Sequence, residues 1–239
     1  MKALILNSGM GSRMGVLTKE HPKCMTDIPN NETILSRQLR IIEESGIKDV
    51  VITTGYYDEV LIEYCATLNH SLNIKFVKNP IYSETNYIYS IYCARDYLDD
   101  DIILLHGDLV FEPAVFNDVI KQENSCMTVS TTLPLPQKDF KAVIKDNQIL
   151  KVGIEFFDNT LAAQPLYKLN RSDWSAWLEK IGEFCEHGER KCYAENAFNL
   201  VSDKCKVYVF DFKDKLCAEI DTCEDLQDVS NKLENLEKE

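Results

Sequence analysis

The chain has 239 residues, 45% hydrophobic and 27% charged, and this ordinary globular composition excludes a disordered, collagen-like or coiled-coil protein. The length lies below the roughly 250 to 300 residues at which single hydrophobic cores stop growing, so we expect one domain over residues 1–239. With 26 basic and 39 acidic residues the net charge is −13, which argues against nucleic acid or an anionic membrane as a partner.

Strand-like and helix-like segments alternate along the first half of the chain. Four apolar, β-rich runs are predicted as buried strands: Ala3–Leu6, Val50–Thr54, Ile74–Val77 and Ile102–Leu105. Apolar residues recur at helical spacing over residues 34–43, before Gly46, and again over residues 60–68. This alternation predicts an α/β fold with a parallel sheet, whose ligand site lies beyond the carboxyl ends of the strands.

After about residue 125 the pattern changes to shorter extended segments. Residues 127–132, 141–145 and 149–153 are predicted as strands added antiparallel to the sheet. An apolar stripe from Trp174 to Cys185 predicts a helix packed on the core. A capping box from Thr222 to Asp225 predicts the start of a final amphipathic helix.

A glycine-rich turn, Gly9-Met10-Gly11-Ser12-Arg13, follows the first predicted strand. Such a turn lets the backbone approach a phosphate closely. It is not a Walker A motif, because no Gly-Lys-Ser/Thr follows, and its third glycine comes one residue late for the dinucleotide fingerprint. Arg13 and Lys23, which follows Pro22, add two cations suited to phosphate oxygens.

Three carboxylates are candidate ligands for a metal ion. Asp108 follows Gly107 just after the fourth predicted strand, where the parallel-sheet rule puts ligands. Glu219 and Asp221 share one face if their segment is extended. Magnesium takes oxygen ligands and bridges substrate phosphates, so these acids suit a metal-bound triphosphate. In the alternative, Asp108 is a turn former and the other two acids are solvated or cap the last helix.

Two segments of the chain resemble a known enzyme family. Gly9-Met10-Gly11-Ser12-Arg13 followed by His21-Pro22-Lys23 is similar to the signature of nucleotidyltransferases that activate sugar phosphates and phospho-alcohols. The run Asn79-Pro80-Ile81-Tyr82-Ser83 resembles the phosphocholine cytidylyltransferase branch of that family. The resemblance covers nearly the whole chain and is strongest over residues 1–110.

The resemblance implies a Rossmann-like nucleotidyltransferase fold, with a mixed, mostly parallel central sheet flanked by helices. It implies Mg²⁺, a nucleoside triphosphate, a phosphorylated acceptor and release of pyrophosphate, with residues 125–220 carrying elaborations at the acceptor site. The branch favours CTP and a small phospho-amine or phosphonate, such as phosphocholine or phosphoethanolamine. A sugar-1-phosphate nucleotidylyltransferase and a non-catalytic nucleotide-binding module are the two alternatives.

The resemblance also assigns roles to residues. It makes Asp108 and Asp221 metal ligands, with Glu219 as a third candidate. Lys23 and Arg13 would offset phosphate charge and act with Asp108 in catalysis. The candidates for nucleotide binding are Asn7, Ser8, Gly9, Met10, Gly11, Ser12, Arg13, Lys23, Asn86 and Ser90. Relatives usually have Ala-Ala or Ala-Gly where this chain has Asn7-Ser8.

Five tyrosines lie within residues 82–97, at positions 82, 87, 89, 92 and 97. Aromatic rings beside acids can hold a quaternary ammonium group by cation–π attraction worth roughly 0.5 to 2 kcal/mol. Residues 89, 92 and 96 recur at helical spacing, so core packing accounts for much of this group. An aromatic cage for the acceptor is the alternative.

Cysteine, histidine and hydropathy patterns bound the remaining possibilities. The nine cysteines include no Cys-x-x-Cys pair, which favours reduced thiols and no zinc cluster. The four histidines lack metal-ligand spacing, so we assign each to a structural position. No apolar run reaches the roughly 18 to 20 residues needed to span a bilayer, and the apolar amino terminus is too short for a signal peptide. We expect a cytoplasmic protein, either a monomer or a homo-oligomer.

Overall fold

The computed structural model describes residues 1–9, 11, 14–15 and 18–236. Its strands are β1 Lys2–Leu6, β2 Asp27–Ile28, β3 Glu32–Thr33, β4 Asp49–Thr54, β5 Asn73–Lys78, β6 Ile102–His106, β7 Leu109–Phe111, β8 Cys126–Ser130, β9 Lys141–Lys145, β10 Gln148–Gly153, β11 Thr160–Leu169, β12 Val207–Asp211 and β13 Cys217–Glu219. Its α-helices are α1 Ile34–Glu44, α2 Asp58–Thr67, α3 Tyr87–Ala94, α4 Pro113–Ile120, α5 Arg171–Glu186, α6 Ala194–Phe198 and α7 Cys223–Leu236.

Nine strands of the described chain form one sheet, in the order β5-β4-β1-β6-β11-β8-β12-β10-β9. The four strands predicted from the first half of the sequence lie side by side and pair in parallel, as expected. Two short ladders lie outside this sheet, β2 with β3 and β7 with β13. The second ladder brings the segment before α7 next to the residues that follow β6.

The expectation of a mostly parallel sheet is wrong, because half of the neighbouring pairs in the described sheet are antiparallel. The long strand β11 enters between β6 and β8 and runs antiparallel to both. A two-residue turn at Asp146 and Asn147, both with positive φ, joins β9 to β10. A turn this short can only reverse the chain, whereas parallel neighbours need a long crossover.

Helices cover both faces of the sheet. Successive residues of β1 alternate between the faces, with Leu4 and Leu6 in one core cluster and Ala3 and Ile5 in the other. The first cluster includes side chains from α3, α5 and α6, and the second includes side chains from α1, α2 and α4. The predicted apolar stripe of α5 is buried in the first cluster.

The final helix begins as its sequence predicts. Asp225 donates its backbone N–H to the hydroxyl of Thr222 at 3.2 Å, and the backbone N–H of Thr222 donates to the Asp225 carboxylate at 2.7 Å. This reciprocal pair is the predicted capping box. Buried Val229 and Leu233 then pack α7 beside the β7–β13 ladder, in a third cluster with Val110.

All nine cysteines lie within the described residues, and each is free. Among the described helices, none combines the length and the apolar character that a membrane crossing requires.

Candidate active site

A cleft of about 420 Å³ opens beyond the carboxyl ends of β1 and β6, the position that the parallel-sheet rule predicts. Its walls come from the turn after β1, the turn at Pro22 and Lys23, residues 82–87, the end of β6, residues 138–140 and the segment after β13. Of the predicted site residues, the cleft is lined by Asn7, Ser8, Gly9, Gly11, Lys23, Asn86, Asp108, Glu219 and Asp221. Met10, Ser12 and Arg13 lie outside the described residues.

The strand end at Asn7 and Ser8 is held tightly by its neighbours. The backbone N–H of Asn7 donates to the carbonyl of Thr53 at 3.2 Å. A Cβ atom on Gly107 would lie 1.6 Å from Asn7 Oδ1, so the Asn7 side chain fits only because residue 107 is glycine. Among the described residues, Asn7 Nδ2 has no hydrogen-bond acceptor.

Gly11 adopts a left-handed backbone conformation in the wall of the cleft. Its φ angle is +62°, which glycine adopts without the strain that an L side chain would suffer. A Cβ atom here would also approach Lys23 Cβ to 3.2 Å. The glycine therefore allows the turn after β1 to pass close to the lysine.

Lys23 lies between two carboxylates from distant parts of the chain. Its Nζ is 2.6 Å from Asp108 Oδ2 and 2.5 Å from Asp221 Oδ1. Burial favours the neutral amine, but the Asp108 and Asp221 carboxylates outweigh this effect and raise the pKa of Lys23. Although burial opposes ionisation of Asp108, Lys23 and His106 hold the pKa of this carboxyl below its ordinary value. The two acids thus converge on one cation.

The β7–β13 ladder explains this convergence. Leu109 is paired with Glu219, and the backbone N–H of Ile220 donates to the Asp108 carbonyl at 3.0 Å. Glu219 and Asp221 therefore flank a residue that is hydrogen-bonded to Asp108. The ladder brings together Asp108, Glu219 and Asp221, the three carboxylates that the sequence predicts as metal ligands.

His106 belongs to the cleft, although its spacing in the sequence predicts only a structural position. Its Nδ1 lies 2.8 Å from Glu219 Oε1. Ligand atoms of His106, Asp108 and Glu219 lie within 4.8 Å of one another, close enough to surround one metal ion. Burial, reinforced by the Asp108 charge, raises the pKa of Glu219 to about 7 despite the His106 contact. The contact between His106 and Glu219 was not predicted from the sequence, because the β7–β13 ladder brings together residues that are far apart in the chain. The one indication in the sequence was that His106 directly precedes Gly107-Asp108.

Asn86 and Ser90 take different positions relative to the cleft. Asn86 lines it and caps α3, since its Oδ1 accepts a hydrogen bond from the backbone N–H of Tyr87 at 2.7 Å. Ser90 is fully buried, with its hydroxyl 2.5 Å from that of Ser8. Asn79 Nδ2 also donates to the Ser90 hydroxyl, at 3.0 Å. Ser90 therefore does not line the cleft itself but contacts Ser8, which does, and its predicted role in nucleotide binding stays a prediction.

Aromatic rings form part of the wall of the cleft. The ring of Tyr87 lies edge-on to His106, with centroids 4.8 Å apart, and 5.8 Å from the ring of Tyr193. Tyr193 in turn lies 5.2 Å from Phe140. We call Tyr87, Tyr193 and Phe140 the aromatic wall. Tyr193 and Phe140 come from separate segments and were not identified from the sequence, in which neither belongs to a motif.

Gly55 is expected to be essential for the position of Ser8. A Cβ atom at residue 55 would lie 2.4 Å from the Ser8 carbonyl oxygen, so Gly55→Ala must move backbone that lines the cleft. We expect a loss of about 1 to 3 kcal/mol in the free energy of unfolding, measured by urea denaturation. Gly182→Ala is the matched control, because this α5 glycine has no atom near its Cβ position and alanine favours a helix by about 1 kcal/mol. Equal stability of the two variants would contradict the assignment.

The sequence of the chain is similar to those of known proteins. Residues 3–184 match the MobA-like NTP transferase domain. Over 115 residues the chain is 36% identical to CMP-5'-(3-aminopropyl)phosphonate synthase of Streptomyces rubellomurinus, a match that covers 48% of this chain and 18% of that protein. It is 25% identical to choline-phosphate cytidylyltransferase of Streptococcus pneumoniae, over 98% of this chain and 99% of the relative.

The fold itself is also found among solved structures. The structure of the CTP:phosphocholine cytidylyltransferase LicC from Streptococcus pneumoniae superposes on this one with a TM-score of 0.75. The two sequences are 20% identical, and the match covers 97% of this chain and 98% of that one. This likeness confirms the predicted Rossmann-like α/β fold.

Proposed function

The chain belongs to the MobA-like NTP transferase family, and we propose that it transfers CMP from CTP to a small phospho-amine or phosphonate, releasing pyrophosphate. The observation that carries the proposal is the convergence of Lys23, Asp108 and Asp221 beside the glycine turn. The names of the two relatives join CMP to an aminopropylphosphonate and a cytidylyl group to choline phosphate, which supports CTP and an amine-bearing acceptor.

The proposed reaction is an in-line attack by a phosphate or phosphonate oxygen of the acceptor on the α-phosphorus of CTP. The new P–O bond forms as the bond to pyrophosphate breaks. An ionised phosphate oxygen needs no general base and no covalent enzyme nucleophile. Catalysis then depends on positioning the two reactants and on neutralising the charge that develops between them.

The turn after β1, together with Arg13 and Lys23, would bind the triphosphate. The backbone around Gly9 and Gly11 lines the cleft and can approach phosphate oxygens closely. Lys23 would offset charge on the α-phosphate and on the departing pyrophosphate. We assign Arg13, which follows Gly11 in the sequence of the turn after β1, to the phosphates as well, and Asn86, which also lines the cleft, to the nucleotide.

We assign Asp108, Asp221 and Glu219 to a divalent cation. The ammonium group of Lys23 stands between Asp108 and Asp221, which supports the view that their oxygens can share one positive charge. Asp108, Asp221 and Glu219 would hold Mg²⁺, which supplies charge neutralisation at the triphosphate when bound. His106 would orient Glu219 through its Nδ1 contact.

The aromatic wall would receive the amine of the acceptor. Rings of Tyr87, Tyr193 and Phe140 line the same cleft as Glu219, an arrangement that attracts a cation. Phe140 and Tyr193 both lie within residues 125–220, the part that we assign to the acceptor site. We also propose a cytoplasmic location, which the free state of all nine cysteines supports.

The direct test is an assay of pyrophosphate release in Mg²⁺, with each of the four common NTPs and three acceptors: phosphocholine, 2-aminoethylphosphonate and glucose-1-phosphate. We expect turnover with CTP and an amine-bearing acceptor. Preference for glucose-1-phosphate would favour a sugar-1-phosphate nucleotidylyltransferase. Binding of CTP by calorimetry without turnover of any acceptor would favour a non-catalytic module.

Gly11→Val is expected to weaken CTP binding by at least about tenfold, measured by calorimetry. The new side chain would both strain a residue with positive φ and crowd Lys23 in the cleft. Gly15→Val is the matched control, since Gly15 has a φ of +59° but open space around its Cβ position. Equal loss of affinity in both variants would mean that backbone strain alone, and not steric exclusion of the nucleotide, is responsible.

A further inference from the structure

A buried carboxylate lies behind the aromatic wall and has no role in the chemistry above. Glu195, in α6, is 1% exposed. Its Oε1 accepts a hydrogen bond from the Tyr167 hydroxyl at 2.9 Å, and its Oε2 accepts one from the Tyr87 hydroxyl. Acceptance at both oxygens is typical of an ionised carboxylate, which has no proton to donate.

The two phenols stay protonated beside this charge. Burial, together with the negative charge of Glu195, raises the pKa of both Tyr87 and Tyr167 well above the ordinary value. Within the part of the chain that the structure describes, the hydrogen-bond partners of Glu195 are these two hydroxyls, and it forms no ion pair. A buried charge without a cationic partner is unfavourable for folding. A cation brought by a ligand would offset that disadvantage.

Tyr87 connects Glu195 to the cleft. Its hydroxyl donates to the carboxylate, while its ring lines the cleft against His106 and Tyr193. A phenol that donates to an anion becomes more electron-rich, and an electron-rich ring attracts a cation more strongly.

We infer that Glu195 is a positioning residue that selects a cationic acceptor, by fixing Tyr87 in the aromatic wall and by making that wall attractive to positive charge. The inference rests on the proposed transfer to an acceptor bound in this cleft. It adds that discrimination between a charged and a neutral head group comes partly from a residue that no substrate touches.

The test compares phosphocholine with 3,3-dimethylbutyl phosphate, an isostere in which a neutral carbon replaces the quaternary nitrogen. Glu195→Gln keeps the size of the side chain and its ability to bond both phenols while removing the charge. We expect the ratio of kcat/KM values for the two acceptors to fall about tenfold, through a higher KM for phosphocholine. The KM for CTP and the kcat/KM for the isostere should stay unchanged.

Two further variants separate charge from packing. Tyr167→Phe removes one partner of Glu195 away from the cleft and should lower stability while keeping the acceptor ratio. Tyr87→Phe keeps the ring but breaks its link to Glu195, so the ratio should fall even if Glu195→Gln does not fold.

The outcomes distinguish this inference from the proposed function. Wild-type protein that turns over neither phosphocholine nor 2-aminoethylphosphonate with any NTP would overturn the proposed function and this inference with it. An active wild type whose Glu195→Gln and Tyr87→Phe variants keep the ratio would overturn the inference alone. Equal loss with both acceptors would also overturn it, by reducing Glu195 to a purely structural role.

Discussion

Asp108→Asn and Asp221→Asn are each expected to lower kcat by about two to three orders of magnitude. The two carboxylates share one cation in the structure, at 2.6 Å and 2.5 Å from Lys23 Nζ, and we propose that they hold Mg²⁺ in the reaction. Removing either would leave the metal with fewer charged oxygens. The concentration of Mg²⁺ that gives half-maximal rate should therefore rise in both variants.

A readout independent of activity strengthens this prediction. Titration with Mn²⁺, followed by electron paramagnetic resonance, should show weaker binding in each variant. Asp228→Asn makes the same change in net charge at an exposed position on α7 and should leave both measurements unaltered. Normal Mn²⁺ affinity in Asp221→Asn would contradict the assignment of Asp221 as a metal ligand. Asp221 would then be only an acidic residue that precedes the start of α7.

Lys23→Met is expected to lower kcat about a hundredfold to a thousandfold while weakening CTP binding much less. A cation that follows charge onto the departing pyrophosphate contributes most in the transition state. Single-turnover kinetics and calorimetry, run on the same preparation, separate the two effects.

The same variant should bind Mn²⁺ more tightly in the absence of nucleotide. The lysine ammonium contacts both Asp108 and Asp221, so its removal takes away a positive charge that competes with a metal ion for these oxygens. Lys19→Met, at a nearby exposed position, is the control and should change neither quantity. Weaker Mn²⁺ binding in Lys23→Met would show that the ammonium and the metal do not compete for these oxygens.

The first half of the fold could be predicted because its local signals agree with one another. The predicted strand at residues 102–105 is a continuous apolar run that is buried on both faces, and α1 begins at the capping residue Thr33 and ends before Gly46. In such segments propensity, hydropathy and capping point to the same structure. Because the glycine turn and Asp108 follow the carboxyl ends of predicted parallel strands, both could be assigned to the ligand site from the sequence.

The second half was harder to predict because its longest strand breaks the local rules. Strand β11 carries a proline at position 165, and its register against β8 shifts between Ala163 and Tyr167. A proline and an irregular register both interrupt the two-residue alternation from which a strand is recognised. The antiparallel pairing of β11 with β6 therefore did not appear in the sequence analysis.

The residues of the candidate site also differ in whether the sequence could reveal them. Lys23, Asp108 and Asp221 belong to short motifs or strand ends, which a sequence displays. The roles that we assign to Tyr193 and Glu195 depend on tertiary contacts. Both residues contact Tyr87 in α3, more than a hundred positions away in the chain, and Glu195 also contacts Tyr167 in β11, about thirty positions away. Tertiary contacts of this kind leave no local pattern.

The β7–β13 ladder has a consequence for the order in which the protein is made. Every strand of the nine-stranded sheet has been synthesised by Asp211, whereas Glu219 and Asp221 come later. Domains fold as the chain emerges, amino terminus first. A nascent chain therefore passes through a stage in which every strand of the large sheet has been synthesised, but Asp221, the second carboxylate that contacts Lys23, has not. The pairing of Lys23 with both acids can form only after the segment that docks on β7 has been translated.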